Sequence, residues 1–184
     1  MPRIIRAALA TASCVAALAG GAIPAHAGEA KPRAATATSS FVQLQAAHSG
    51  KCLTLAQGSL GNGANAVQST CVDGLANQLF ELVPTDSAAF EVRAEHSGKC
   101  LEVENGGTKA GSNVQQWWCT DGPQQRWKVI MVEIADGLYE LRPTHALDRC
   151  LDISNASLED GANAQSWYCN GSPAQRWRIL PAKP

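Results

Sequence analysis

The segment His48-Ser49-Gly50-Lys51-Cys52-Leu53 returns unchanged at His96–Leu101, and a degenerate copy, Ala146-Leu147-Asp148-Arg149-Cys150-Leu151, follows. The leading cysteines, Cys52, Cys100 and Cys150, lie 48 and 50 residues apart. Each is followed 19 positions later by a second cysteine: Cys71, Cys119 and Cys169. Six or seven residues further on stands a Gln-x-aromatic: Gln78/Phe80, Gln125/Trp127 and Gln175/Trp177. A glycine precedes each second cysteine by eight: Gly63, Gly111 and Gly161. Four features in register, three times over, are the mark of an internal triplication. The units run over about 41–86, 87–133 and 134–181.

Inside a unit the apolar residues alternate over short runs. FVQLQ, CLTLA, FEVRA, CLEVE, RWKVI, LYELR, CLDIS and RWRIL are each bounded by Gly, Asn, Asp or Pro, which reads as strand and turn. About four strands per unit gives about twelve in an all-β chain. A unit of this size cannot bury a hydrophobic face alone, so the three must share one core. A barrel with a cap satisfies that requirement and leaves no open sheet edge. Two cysteines 19 apart suit a bridge within the unit; bridging between units is the alternative. No Cys-x-x-Cys spacing is present for a zinc site, and no metal or cofactor is expected.

The triplication begins near Phe41. Ahead of it, Arg3 and Arg6, an apolar run from Ile4 to Leu18 and Ala25-His26-Ala27 have the layout of an export signal, residues 1–27. Cleavage there leaves 157 residues, a net charge of −3 and six cysteines, the even number a disulfide framework needs in an oxidising compartment. Residues 28–40, rich in Ala, Thr, Ser and Pro, read as a flexible leader. With 17% charged residues and a formal net charge of −1 over the 184-residue chain, nothing resembles a nucleic-acid footprint. The Ala-rich run with its glycines is poor material for a membrane span. The expectation is a secreted monomer.

Three units carrying CL-[DET]-[VIL], a Gly-initiated segment ending at the second cysteine and a Q-x-aromatic close resemble the ricin B-chain lectin family over residues 41–180. The resemblance implies a β-trefoil with one shallow sugar site per unit. Each site would use an acid after the first cysteine, a Gln and an aromatic before the second, and polar residues around Q-x-W. In the third unit these are Asp152, Gln165, Trp167 and Gln175; in the second, Glu102, Gln115, Trp117 and Gln124. In the first unit Thr54, Val67 and Ser69 replace acid, amide and aromatic, so that unit is expected to be silent. The family's Asn before the Q-x-W Gln has counterparts in Asn77, Gln124 and Ala174.

A pairing argument gathers the same residues without the family. If the two cysteines of a unit face each other on antiparallel strands, Asp152 lies opposite Trp167, Ser154 opposite Gln165 and Glu102 opposite Trp117. Alternation places all of them on the disulfide's face. A carboxylate beside an indole suits a pyranose: the acid accepts from two hydroxyls and the ring covers the C–H face. Of the adjacent aromatics Trp117/Trp118 and Trp167/Tyr168, one of each pair is expected buried and the other exposed. Phe80, Trp127 and Trp177 read as core, and His48 and His96 as turn residues.

The function expected is reversible binding of glycans or polysaccharide. The alternative is a trefoil that binds proteins, or inhibits a protease, through its loops. An enzyme would need paired carboxylates across a cleft, and no G-x-S-x-G or H-E-x-x-H motif occurs.

Overall fold

The structure, a computed structural model, describes residues 41–86 and 88–183. The expected export signal and leader lie outside the described residues. Twelve strands follow one another: β1 Phe41–Ala46, β2 Cys52–Leu55, β3 Ala66–Ser69, β4 Phe80–Thr85, β5 Ala89–Ala94, β6 Cys100–Val103, β7 Ser112–Trp117, β8 Arg126–Glu133, β9 Leu138–Pro143, β10 Arg149–Ile153, β11 Ala164–Tyr168 and β12 Trp177–Pro181. The first and last strand of each unit form a closed antiparallel ring, β1-β4-β5-β8-β9-β12 and back to β1. The two middle strands of each unit form a hairpin (β2–β3, β6–β7, β10–β11), and the three hairpins cap one end. This is a β-trefoil: a barrel with a cap, built from three like units.

One apolar core fills it. Leu44, Val92 and Leu141 come from the barrel strands, Leu53, Leu101 and Leu151 from the hairpins, and Phe80, Trp127 and Trp177 are sealed completely. The two indoles keep their N–H satisfied: Trp127 Nε1 donates to Leu101 O at 2.9 Å and Trp177 Nε1 to Leu151 O at 3.0 Å. Burial of tryptophan requires that bond. Two carboxylates that the strand pattern concealed are also buried, Glu91 on β5 and Glu140 on β9. Each pairs with the arginine two residues on, Arg93 and Arg142, at 2.6 Å, and Arg176 adds a second partner to Glu140. A buried charge is tolerated only with such partners.

All three disulfides lie within a unit: Cys52–Cys71, Cys100–Cys119 and Cys150–Cys169, with Cα atoms 5.0–5.1 Å apart. The cysteines do not face each other in the ladder, however. Cys150 lies opposite Trp167 and Asp152 opposite Gln165; in the second unit Cys100 lies opposite Trp117 and Glu102 opposite Gln115. The register inferred from cysteine symmetry is therefore off by two residues, and Ser154 belongs to a turn, not to the ladder. The reason is that β11 ends at Tyr168, so Cys169 reaches back diagonally from beyond the strand. A shift of two preserves the face of every side chain.

Contacts between units run in a ring. Gly63 N donates to Gln116 O at 2.9 Å, Gly111 N to Ser166 O at 2.9 Å and Gly161 N to Gln68 O at 2.8 Å. These glycines have φ of +80°, +86° and +83°, a conformation that explains their fixed position. The histidines do more than shape turns. His48, His96 and His145 each place Nε2 within 2.9–3.1 Å of a backbone oxygen of the preceding unit in the ring: Ser157, Ser59 and Gly107. His145 escaped the sequence comparison because it stands five residues before its cysteine, not four.

Replacing Cys100 and Cys119 together by serine should cost about 3 kcal/mol on the loop-entropy account. The check is a lower urea midpoint in equilibrium unfolding, relative to the oxidised parent.

Candidate functional site

The residue that organises each hairpin is the glutamine of Q-x-aromatic, fully buried in every unit. In the third unit Gln175 Oε1 accepts from Asn170 N at 2.9 Å, while Nε2 donates to Tyr168 O at 2.8 Å and to Asp152 Oδ2 at 3.1 Å. The other oxygen of Asp152 accepts from Gln165 Nε2 at 2.8 Å. The acid is thus held by two amides, and each carboxylate oxygen keeps a free lone pair. Gln165 makes that bond because it, not Trp167, stands directly across the ladder.

Trp167 lies on the diagonal, 38% exposed. Its indole rests on the second unit: a Cβ added at Gly111 would stand 3.6 Å from Trp167 Cζ3. Together Asp152, Gln165 and Trp167 line an open cavity of about 340 Å³, completed by Ser154, Asn155, Ala156, Asn170, Ser172 and Ala174. Gln175 lies beneath it as a support and does not line it.

The second unit repeats the plan. Glu102 accepts from Gln115 Nε2 at 3.0 Å and from Gln125 Nε2 at 2.9 Å, and Trp117 is 39% exposed. The cavity is smaller, about 190 Å³, and is lined by Glu102, Asn105, Gln115, Trp117, Thr120 and Gln124. Here Gly63 of the first unit lies behind the indole, its added Cβ 3.9 Å from Trp117 Cζ3. In the first unit Gln78 Nε2 donates to Thr54 Oγ1 at 3.1 Å in place of a carboxylate. Opposite Thr54 and Cys52 stand Val67 and Ser69, so amide and indole are gone as well. Accordingly a Cβ at Gly161 would meet nothing within 4 Å.

The expectation of one buried and one exposed aromatic per pair is corrected. Trp118 and Tyr168 are 62% and 54% exposed, more than their neighbours Trp117 and Trp167. Trp118 lies just past β7 and Tyr168 at the end of β11, and each packs on a cation: Lys99 Nζ sits 3.7 Å from the Trp118 ring centroid and Arg149 Cζ 3.8 Å from that of Tyr168.

Sequence reasoning missed Asn105 and Asn155, which line the cavities from a left-handed turn with φ of +53° and +56°. Their signal was an Asn three residues after the acid, a residue type that tolerates this conformation. Two further groups gather potential metal ligands, Glu91 with Cys100 and Cys119, and Glu140 with Cys150 and Cys169. Their cysteines are joined as disulfides, which leaves one carboxylate in each.

A family profile described as ricin-type beta-trefoil lectin domain-like matches residues 33–117, 76–162 and 123–184. The chain belongs to this family. Among solved structures, the designed threefold-symmetric protein ThreeFoil is similar at 37% identity and a TM-score of 0.73, covering 77% of this chain and 98% of that one. The exo-β-1,3-galactanase 1,3Gal43A from Clostridium thermocellum matches at 29% identity and a TM-score of 0.72, over 77% of this chain but only 30% of the enzyme. The ricin B-like lectin of Macrolepiota procera, solved in complex with lactose, shares the fold at 16% identity, with a TM-score of 0.65 and coverage of 78% and 95%. No curated protein matches. Carbohydrate binding is the function of this ricin-type family at large, and its members are generally binding modules. The three disulfides of the trefoil speak for an oxidising environment.

Burial raises the pKa of Asp152 above its ordinary value of 3.8, against the opposing hydrogen bonds from Gln165 and Gln175 and the field of His48. Ionising this acid therefore opposes folding. Its contribution to stability is complete below pH 3.8 and is lost as pH rises through the raised value. Asp152→Asn should remove that pH dependence and leave the neutral-pH melting temperature undiminished. Gln175 can donate to the new carbonyl, and Gln165 can turn its amide to accept from the new NH₂. Thermal melts of both proteins between pH 3 and pH 7 check this.

Proposed function

We propose that the chain is an exported, non-catalytic carbohydrate-binding protein with sugar sites in its third and second units and none in its first. One observation carries the reading: the indole of Trp167 is open to solvent in the same cavity as the doubly anchored carboxylate of Asp152. In this reading Asp152 and Glu102 accept from vicinal hydroxyls, Gln165 and Gln115 offer an amide, and Trp167 and Trp117 cover the apolar face of the ring. Gln124 borders the second site. Gln175 positions the acid of the third. Residues 1–27 serve as the signal, 28–40 as the leader and 41–184 as one trefoil domain.

Each cavity contains a single acid whose two oxygens are already tethered, whereas glycoside hydrolysis uses two carboxylates flanking the bond. That supports binding without cleavage. A shallow site with one stacked ring supports a Kd of about 1 mM. Polymeric or surface-displayed glycans would engage both sites together and add avidity. The lactose complex of the Macrolepiota procera lectin makes galactosides the first probes.

A protein-binding role is the second reading. The tip of the β8–β9 hairpin favours it, with Met131, Val132 and Ile134 all exposed.

Trp167→Ala should weaken galactoside binding at least about tenfold with little change in melting temperature, because the indole is a surface plate. Trp117→Ala should cost less, and the double variant should abolish binding. Glycan-array signal and ligand-observed NMR measure all three. Asp152→Asn should lose about tenfold or more, through two charge-assisted hydrogen bonds. Binding by the parent should fall as acid protonates this group.

A further inference from the structure

The second and third sites differ at two positions that adjoin each other. In the second unit Gly106 follows Asn105 in the left-handed turn, and a Cβ placed on it would stand 3.9 Å from the Cβ of Gln124. In the third unit the corresponding residues are Ala156 and Ala174, and both line the cavity. The first unit follows the second: Gly58 holds the turn position, and its added Cβ would meet Asn77 Nδ2 at 3.9 Å. Two units thus pair a glycine with an amide side chain, and the third pairs two alanines.

Ala156 occupies this place under strain. Its φ is +47°, where Gly58 and Gly106 have +60° and +63°. Alanine is disfavoured in this conformation, and nothing in the backbone of the turn requires a methyl. Strain of this kind at the lip of a cavity points to a use for the side chain. Ala174, for its part, removes the polar group that Gln124 brings to the second site. The result is a third-unit cavity of about 340 Å³ against about 190 Å³, with an exposed methyl at Ala156 beside the buried Ala174 where the second unit has Gly106 and the stem of Gln124.

We propose that the third-unit site selects a pyranose bearing a methyl-containing substituent, an acetamido or 6-deoxy group, seated against the exposed methyl of Ala156 beside the buried Ala174. The second-unit site, filled at this point by Gln124, takes the unsubstituted hydroxylated sugar. The chain would then be a binder with two unlike specificities. This rests on the reading of both cavities as sugar sites.

The test uses the mature protein carrying Trp117→Ala, which isolates the third unit, with galactose, N-acetylgalactosamine and 6-deoxygalactose as probes. One of the two methyl-bearing sugars should bind about fourfold more tightly than galactose, the value of one buried methyl. Adding Ala156→Gly and Ala174→Gln should bring that ratio to about one while galactose still binds. Ala156→Gly alone, which relieves the backbone, should lower the ratio without loss of melting temperature. Conversely, Gln124→Ala in a Trp167→Ala background should admit the methyl-bearing sugar to the second unit. Equal binding of all three sugars, or a preference that survives the double substitution, overturns the proposal and leaves the sugar site standing. If none of the three binds until Trp117 is restored, or Trp167→Ala changes nothing, the third-unit site itself falls and the proposal with it.

Discussion

A glutamine amide, buried in each unit, is the interaction on which the hairpins and the candidate site depend. Gln78, Gln125 and Gln175 each accept from a backbone N–H just past the second cysteine and donate to a backbone carbonyl beside it. The remaining amide hydrogen goes to the hairpin residue two places after the first cysteine: Thr54, Glu102 or Asp152. A primary amide is the one neutral side chain with enough donors and acceptors to do this in a sealed position. Where the partner is a carboxylate, the same bond sets its orientation. The next residue but one, an aromatic, anchors the strand in the core. Structure and site are therefore coupled through three consecutive positions.

The three units have diverged around this shared frame. The first keeps the glutamine, the disulfide and the core aromatic, yet lacks acid, amide and indole. It supplies the ring of contacts instead: Gly63 supports Trp117, as Gly111 supports Trp167. Each tryptophan plate thus belongs to two units at once. A unit without acid, amide and indole of its own still supports its neighbour's tryptophan, which gives a physical reason why the triplication persists although one copy has diverged.

Asp152 shows a tension between stability and the recognition proposed for it. It is nearly buried and held by amides, and burial shifts its ionisation toward the neutral form. Charge there opposes folding but strengthens acceptance from hydroxyl groups. Ala156, in a conformation that glycine would occupy freely, is a second local sacrifice in the same cavity. Departures from local preference gather where a ligand would sit, while Leu44, Leu53 and Trp177 obey every packing rule.

The sequence by itself determined the triplication, the all-β character and the core aromatics, and it favoured pairing of the cysteines 19 apart over bridges between units. Each follows from spacing and alternation, which are properties of the chain. It also determined which unit lacks an acid, since Thr54 can be read directly. Only the tertiary structure decided the register, because Cys169 lies past the end of β11 and cysteine symmetry misplaces the ladder by two. It alone revealed that Trp118 and Tyr168 stay exposed on cations, that His48, His96 and His145 join neighbouring units, and that Asn155 and Ala156 form a cavity lip. The histidine contacts depend on residues from different units meeting, the lip on a left-handed turn, and the cation contacts on the hairpin register, all of which are settled only in space. No local pattern encodes such a meeting; closure of the barrel creates it.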